Sequence, residues 1–172
     1  MDATEWLRNR RTGFDELSRE EIEQISQFSL LWTYFEAKTL GTMATAGRII
    51  TLSENLFSSG ATNFDEVAEA MQHFRERYID DGSVNYHFGE LHFRRNDRED
   101  LVTEVLLGRS DSAPEHLAAA LLIVFRLRNN LFHGLKWAYA LRGQRENFRV
   151  STKLMMKMCE LHEHFIGESE YH

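Results

Sequence analysis

The sequence predicts an all-α protein, an antiparallel up-down helical bundle. Three observations carry that prediction. There is one proline, Pro114, in 172 residues, where a β-sandwich or barrel places many Pro and Gly residues in its turns. Apolar residues recur three and four apart over long stretches. Cap-forming residues precede those stretches and glycines follow them.

The first long helix opens at Ser18-Arg-Glu-Glu21, a capping box, and carries Ile22, Ile25, Phe28, Trp32 and Phe35 at helical spacing to about Leu40, where Gly41 stops it. Residues 43–57 form a second helix that ends at Ser-Ser-Gly. Asn63-Phe-Asp-Glu66 caps a third, whose stripe is Val67, Met71, Phe74 and Tyr78 and which breaks at Asp80-Asp-Gly82. Residues 83–96 have no readable period; loop, short hairpin and irregular insertion all fit them. A short helix follows over 97–107 and stops at Gly108. Ser112-Ala-Pro-Glu115 places a cap and a proline in the first turn of the longest helix, which is expected to reach Leu141. Gly143-Gln-Arg-Glu146 is a tight connection. Asn147 is expected to cap a last helix bearing Val150, Leu154, Met158, Leu161 and Phe165. With no repeat and no linker, residues 1–172 read as one domain whose two long C-terminal helices form a hairpin.

Composition excludes several classes. The longest apolar run, Leu117 to Phe125, is nine residues, far short of a membrane span. No apolar stretch follows Met1, so no secretory signal is expected and the cytoplasm is the expected location. The single cysteine, Cys159, leaves no internal disulfide framework and no cysteine-based zinc site. His87, Glu90 and His92 do not complete a metal site, and no glycine-rich phosphate loop is present, so no cofactor is expected. His162 and His164 are two apart, cannot share a helix face, and read as surface residues. Net charge is −7, which disfavours a nucleic-acid partner taken alone. Yet residues 126–149 hold six basic side chains against Glu146 alone. Such a stretch serves either a local anionic ligand or acidic neighbours in the fold.

On a helical wheel Leu117, Leu121, Val124, Phe125, Leu131, Phe132, Leu135 and Tyr139 form one arc, with Arg128 near its middle. A guanidinium aimed into an apolar face needs a partner, because it cannot shed its charge. Glu36, at the edge of the first helix's stripe, is the carboxylate best placed to pair with it. Breaking such a pair, if buried, would cost roughly 3–5 kcal/mol. Asn129 and His133 are four apart and share the adjacent face with Arg126. His133 thus sits beside an amide that can orient it and cations that can bind an anion. A purely structural Glu36–Arg128 pair is the competing account.

The stretch Phe125-Arg-Leu-Arg-Asn-Asn-Leu-Phe-His-Gly134 resembles the signature of the HEPN superfamily: an Arg, usually followed by a polar residue, then a His five to seven positions after the Arg. Arg128-Asn129 followed by His133 fits the shortest spacing. Its wording looks like HEPN families of bacterial defence and plasmid-borne loci, and Leu31-Trp-Thr-Tyr-Phe-Glu36 looks like their first-helix segment. The close match covers about a tenth of the chain.

The resemblance implies a four-helix core with additional short helices, often dimeric, and a metal-independent endoribonuclease site made of Arg128, Asn129 and His133, with Glu36 and Arg126 in support. One subfamily carries a Tyr two positions after the His; Leu135 stands there here, which puts that subfamily's regulation in doubt. The residue types suit the chemistry. A base near neutral pKa takes the ribose 2′-hydroxyl proton, and a cation stabilises the phosphorane-like charge. His133 suits the first role and Arg128 or Arg126 the second. On one straight helix Arg128 and His133 are about 140° apart; Arg's long reach, a helix distortion or a second protomer could bring them together, and a homodimer that completes the site is the favoured expectation. The expected partners are an RNA substrate and a restraining antitoxin or regulatory protein, with no membrane. The alternatives are a non-catalytic HEPN module that binds RNA, a nucleotide or a protein, and a plain dimeric helical scaffold.

Overall fold

The computed structural model describes residues 2–10, 13–62, 64–132 and 141–167. A short α1 (Ala3–Arg8) and a 3-10 turn (Phe14–Glu16) lead into α2 (Arg19–Thr39), α3 (Ala46–Ser58) and α4 (Asp65–Tyr78). A two-residue hairpin, β1 (Ile79–Asp80) with β2 (Ser83–Val84), precedes α5 (Tyr86–Gly89), α6 (Glu99–Leu106), α7 (Ala113–Phe132) and α8 (Arg145–Phe165). The fold is all-α, and among the described residues that hairpin is the only sheet. Asp81 and Gly82 both take positive φ there, 49° and 73°, the backbone an Asp-Gly hairpin turn requires. The first helix and the 3-10 turn escaped the sequence pattern because neither is long enough to show a period.

Several starts follow the expected caps. Ser18 Oγ accepts from Glu21 N at 3.1 Å while Ser18 N donates to the Glu21 carboxylate at 2.9 Å. Thr45 caps α3. The Ser112 carbonyl accepts from His116 N at 3.0 Å as α7 begins. Asn63 lies outside the described residues. Asn147 is a correction: α8 starts three residues earlier than that cap implies, with Gln144 at its N-cap. The Asn147 amide is buried, donates to Tyr78 Oη at 3.1 Å and is hydrogen-bonded to His73 Nε2 at 2.6 Å. An amide facing α4 serves the helix interface rather than its own helix end.

The packing also corrects the expected hairpin. Helix α8 lies along α2 and α4, while α7 lies along α3, α6 and α4; among the described residues α7 and α8 do not run along one another. Glu20 pairs with Arg145 and Tyr34 Oη donates to Glu163, so α2 and α8 run in the same direction. Asn147 beside Tyr78, and Glu69 bonded to Arg149 and Lys153, make α4 and α8 antiparallel. The reason lies in α7, whose side chains from Leu117 to Leu127 are all buried. A helix apolar all round needs neighbours on every side, which a one-arc wheel did not anticipate. Trp32 on α2 stacks with Phe125 of α7 at 6.1 Å, and Phe28 meets Phe148 of α8 at 4.8 Å. The expected continuation of α7 to Leu141 crosses residues 133–140, outside those described.

His162, expected on the surface, is buried. It faces Leu40, Arg48 and Leu52 around a cavity of about 270 Å³. Burial holds its imidazole below the ordinary histidine value, with Glu163 opposing and Lys38 adding to the shift. Among the described residues no helix is long and apolar enough to cross a membrane.

Candidate active site

Arg128 and Glu36 are brought together, on a looser geometry than a core pair. Arg128 Nη2 lies 3.9 Å from Glu36 Oε2, with the two side chains 28% and 20% exposed. Glu36 is held by its own helix and the following turn: Oε2 accepts from Trp32 Nε1 at 3.0 Å and Oε1 from Ala44 N at 2.9 Å. The Arg128 guanidinium lies over two rings, 5.7 Å from the Trp32 centroid and 5.1 Å from that of Phe132. Its Nη1 donates to Asn129 Oδ1 at 3.0 Å. Its Nε is buried without an acceptor among the described residues. Arg128 is therefore not the core residue the wheel suggested. It is an aromatic-flanked cation with hydrogen-bonding capacity unused. Phe132, placed on the core arc by spacing, is 54% exposed, because the burial of α7 fades towards its described end.

Arg126 is the second correction. It was expected on the anion-binding face, and it is 1% exposed. Nη1 donates to Asp97 Oδ2 at 2.7 Å, Nε to the Leu91 carbonyl at 3.0 Å and Nη2 to the His92 carbonyl at 2.6 Å. Burial lowers its pKa, Asp97 opposes that shift, and the charge of Arg94 adds to it. With its donors engaged inside the protein, Arg126 positions the segment before α6 rather than a phosphate. Asn130 does the same, donating to the Glu90 and Leu91 carbonyls at 3.1 and 3.2 Å. Neither Asp97 nor Asn130 was legible as a partner, since residues 83–96 carry no pattern.

Asn129 is buried beside Arg128. His133, Leu135 and Trp137 lie outside the described residues. His87 and His92 are exposed, and among the described residues no cluster of three His, Cys, Asp or Glu could hold a metal ion. What the described site can do is bind an anion at Arg128, with the exposed ring of Phe132 beside it, while Trp32 is buried beneath the guanidinium. Comparison with family models, curated proteins and solved structures finds no match to this chain.

Proposed function

We propose that the protein is a metal-independent HEPN-type endoribonuclease, a toxin or antiviral effector that acts in the cytoplasm as a homodimer under the restraint of an antitoxin or regulatory protein. His133 takes the proton of a ribose 2′-hydroxyl. The 2′-oxygen then bonds to phosphorus as the P–O5′ bond breaks, and the 5′-oxygen leaves with a proton taken from solvent, giving 2′,3′-cyclic phosphate and 5′-hydroxyl ends. Arg128 binds the phosphate oxygens and stabilises their growing charge. Asn129 orients the site.

The observation that supports this reading is the state of Arg128. A cation kept only as a structural tie would close on Glu36 and shed water. This one stands 3.9 Å away, more than a quarter exposed, with Nε lacking an acceptor among the described residues. That geometry favours a ligand-binding role over the plain scaffold.

The test incubates purified protein with total RNA in EDTA. Cleavage with cyclic-phosphate ends is expected, falling at least about 100-fold in His133→Ala and Arg128→Ala. Heterodimers of those two variants should regain up to about one site of two if each site draws its Arg and His from different chains. Activity that appears only with added divalent metal would sink the mechanism.

A further inference from the structure

The segment between α5 and α6 is held with unusual care for a surface connection. Leu91 is buried, and the Phe93 ring stacks on Phe88 at 5.4 Å. Arg94 N donates to Asp97 Oδ2 at 2.9 Å and Asp97 N to the Arg94 carbonyl at 2.9 Å, which closes a tight turn over residues 94–97. The same Asp97 oxygen takes the Arg126 guanidinium, and Asn130 adds two bonds to residues 90 and 91. His92 and Arg98, on either side, adopt left-handed φ of 51° and 57°, a conformation that costs a non-glycine residue and tends to persist where position matters.

What this clamp displays is Arg94 and Arg95. Both are exposed, and among the described residues no carboxylate pairs with either. A buried ion pair is a poor way to gain stability alone, since apolar residues of similar volume often serve as well. Arg94 even works against Arg126 electrostatically. The arrangement makes sense if the two cations must stand at a set place. In a protein of net charge −7, a polyanion is repelled at long range and needs a local basic element to dock. The clamp residues Arg126 and Asn130 bracket Arg128 and Asn129 on α7. Arg128 faces Trp32 and Glu36 on α2, whereas the turn packs on the opposite side of α7. The two cationic elements thus lie on opposite sides of α7, near its described end.

We propose that the 94–97 turn is an RNA-binding element in which Arg94 and Arg95 take the phosphates of a single strand that crosses α7 to reach Arg128. This rests on the ribonuclease reading for the identity of the ligand. Arg126, Asp97 and Asn130 are its positioning residues.

The experiment measures anisotropy of a 5′-fluorescein 20-nucleotide single-stranded RNA with His133→Ala protein in EDTA, from 50 to 200 mM salt. Arg94→Ala/Arg95→Ala is expected to weaken binding about tenfold at 100 mM salt and to flatten the log–log salt dependence by about 1.4, the value for two single-strand phosphate contacts. Arg94→Lys/Arg95→Lys should restore most of the slope, because it keeps the charge. Arg8→Ala/Arg10→Ala, at the end of α1 and in the turn after it, should change neither. An Arg94/Arg95 variant within twofold of its parent and with the same slope overturns the proposal, even where the wild type cleaves RNA. Loss of binding in that variant without cleavage by the wild type supports the element and refutes the ribonuclease. A parent protein that binds no RNA overturns the element, and the ribonuclease falls with it where the wild type also leaves RNA uncut.

Discussion

Asp97 can be removed without touching α7, and the structure sets the size of the effect. The Arg126 guanidinium has no route to solvent at 1% exposure, and its carboxylate partner lies at 2.7 Å. Asp97→Ala would leave a buried cation with only the carbonyls of Leu91 and His92 as acceptors, and would strip the turn of the acceptor for Arg94 N. An uncompensated buried charge costs about 3–5 kcal/mol. Against a typical total of roughly 5–15 kcal/mol, that is a large fraction. At about 2–4 °C per kcal/mol for a chain of this size, Tm should fall by roughly 6–20 °C. Urea denaturation of the wild type, Asp97→Ala, Arg126→Met and the double variant gives a complete cycle. The double variant should be more stable than the two single losses added together predict, by at least about 2 kcal/mol, because the apolar replacement removes the stranded charge. A loss below about 1 kcal/mol in Asp97→Ala, with coupling below about 0.5 kcal/mol, would mean that the pair does not hold the segment.

Two further outcomes follow from the site and from α8. Glu36→Ala should cost about 2 kcal/mol in urea denaturation, short of the buried-pair figure, because it leaves Trp32 Nε1 and Ala44 N without acceptors while water still reaches Arg128; a loss above about 4 kcal/mol would restore the core-pair account. His162 has a folded pKa depressed chiefly by burial, so the unfolded chain binds its proton first. Its contribution to stability is present in full above the unfolded value, about 6.5, and is lost as pH falls from there towards the folded value. The wild type should therefore lose more stability between pH 7 and pH 5 than His162→Leu; equal losses would place the imidazole in contact with water.

How much the sequence determined can be seen residue by residue. The Ser18–Glu21 capping box and the stripe of α2 are short-range features, fixed by neighbours within one or two turns, and they stand where the pattern put them. The meeting of Glu36 with Arg128 was legible in part: Glu36 lies at the edge of the α2 stripe, and a guanidinium among apolar residues called for a carboxylate, although the wheel placed Arg128 deeper than the structure does. Arg126 and Arg128, two residues apart on one helix, show what local pattern could not decide. Both are arginines beside apolar residues, and only the fold buries one and leaves the other half-open. That choice depends on an irregular segment closing over α7 and on Asp97, 29 residues away in the chain, whose placement leaves no periodic trace. Nor does an apolar stripe on α8 say which helix will cover it. The parallel pairing with α2, the inward turn of Asn147 and the burial of His162 belong to the docking of whole helices, where packing against every neighbour at once sets the answer.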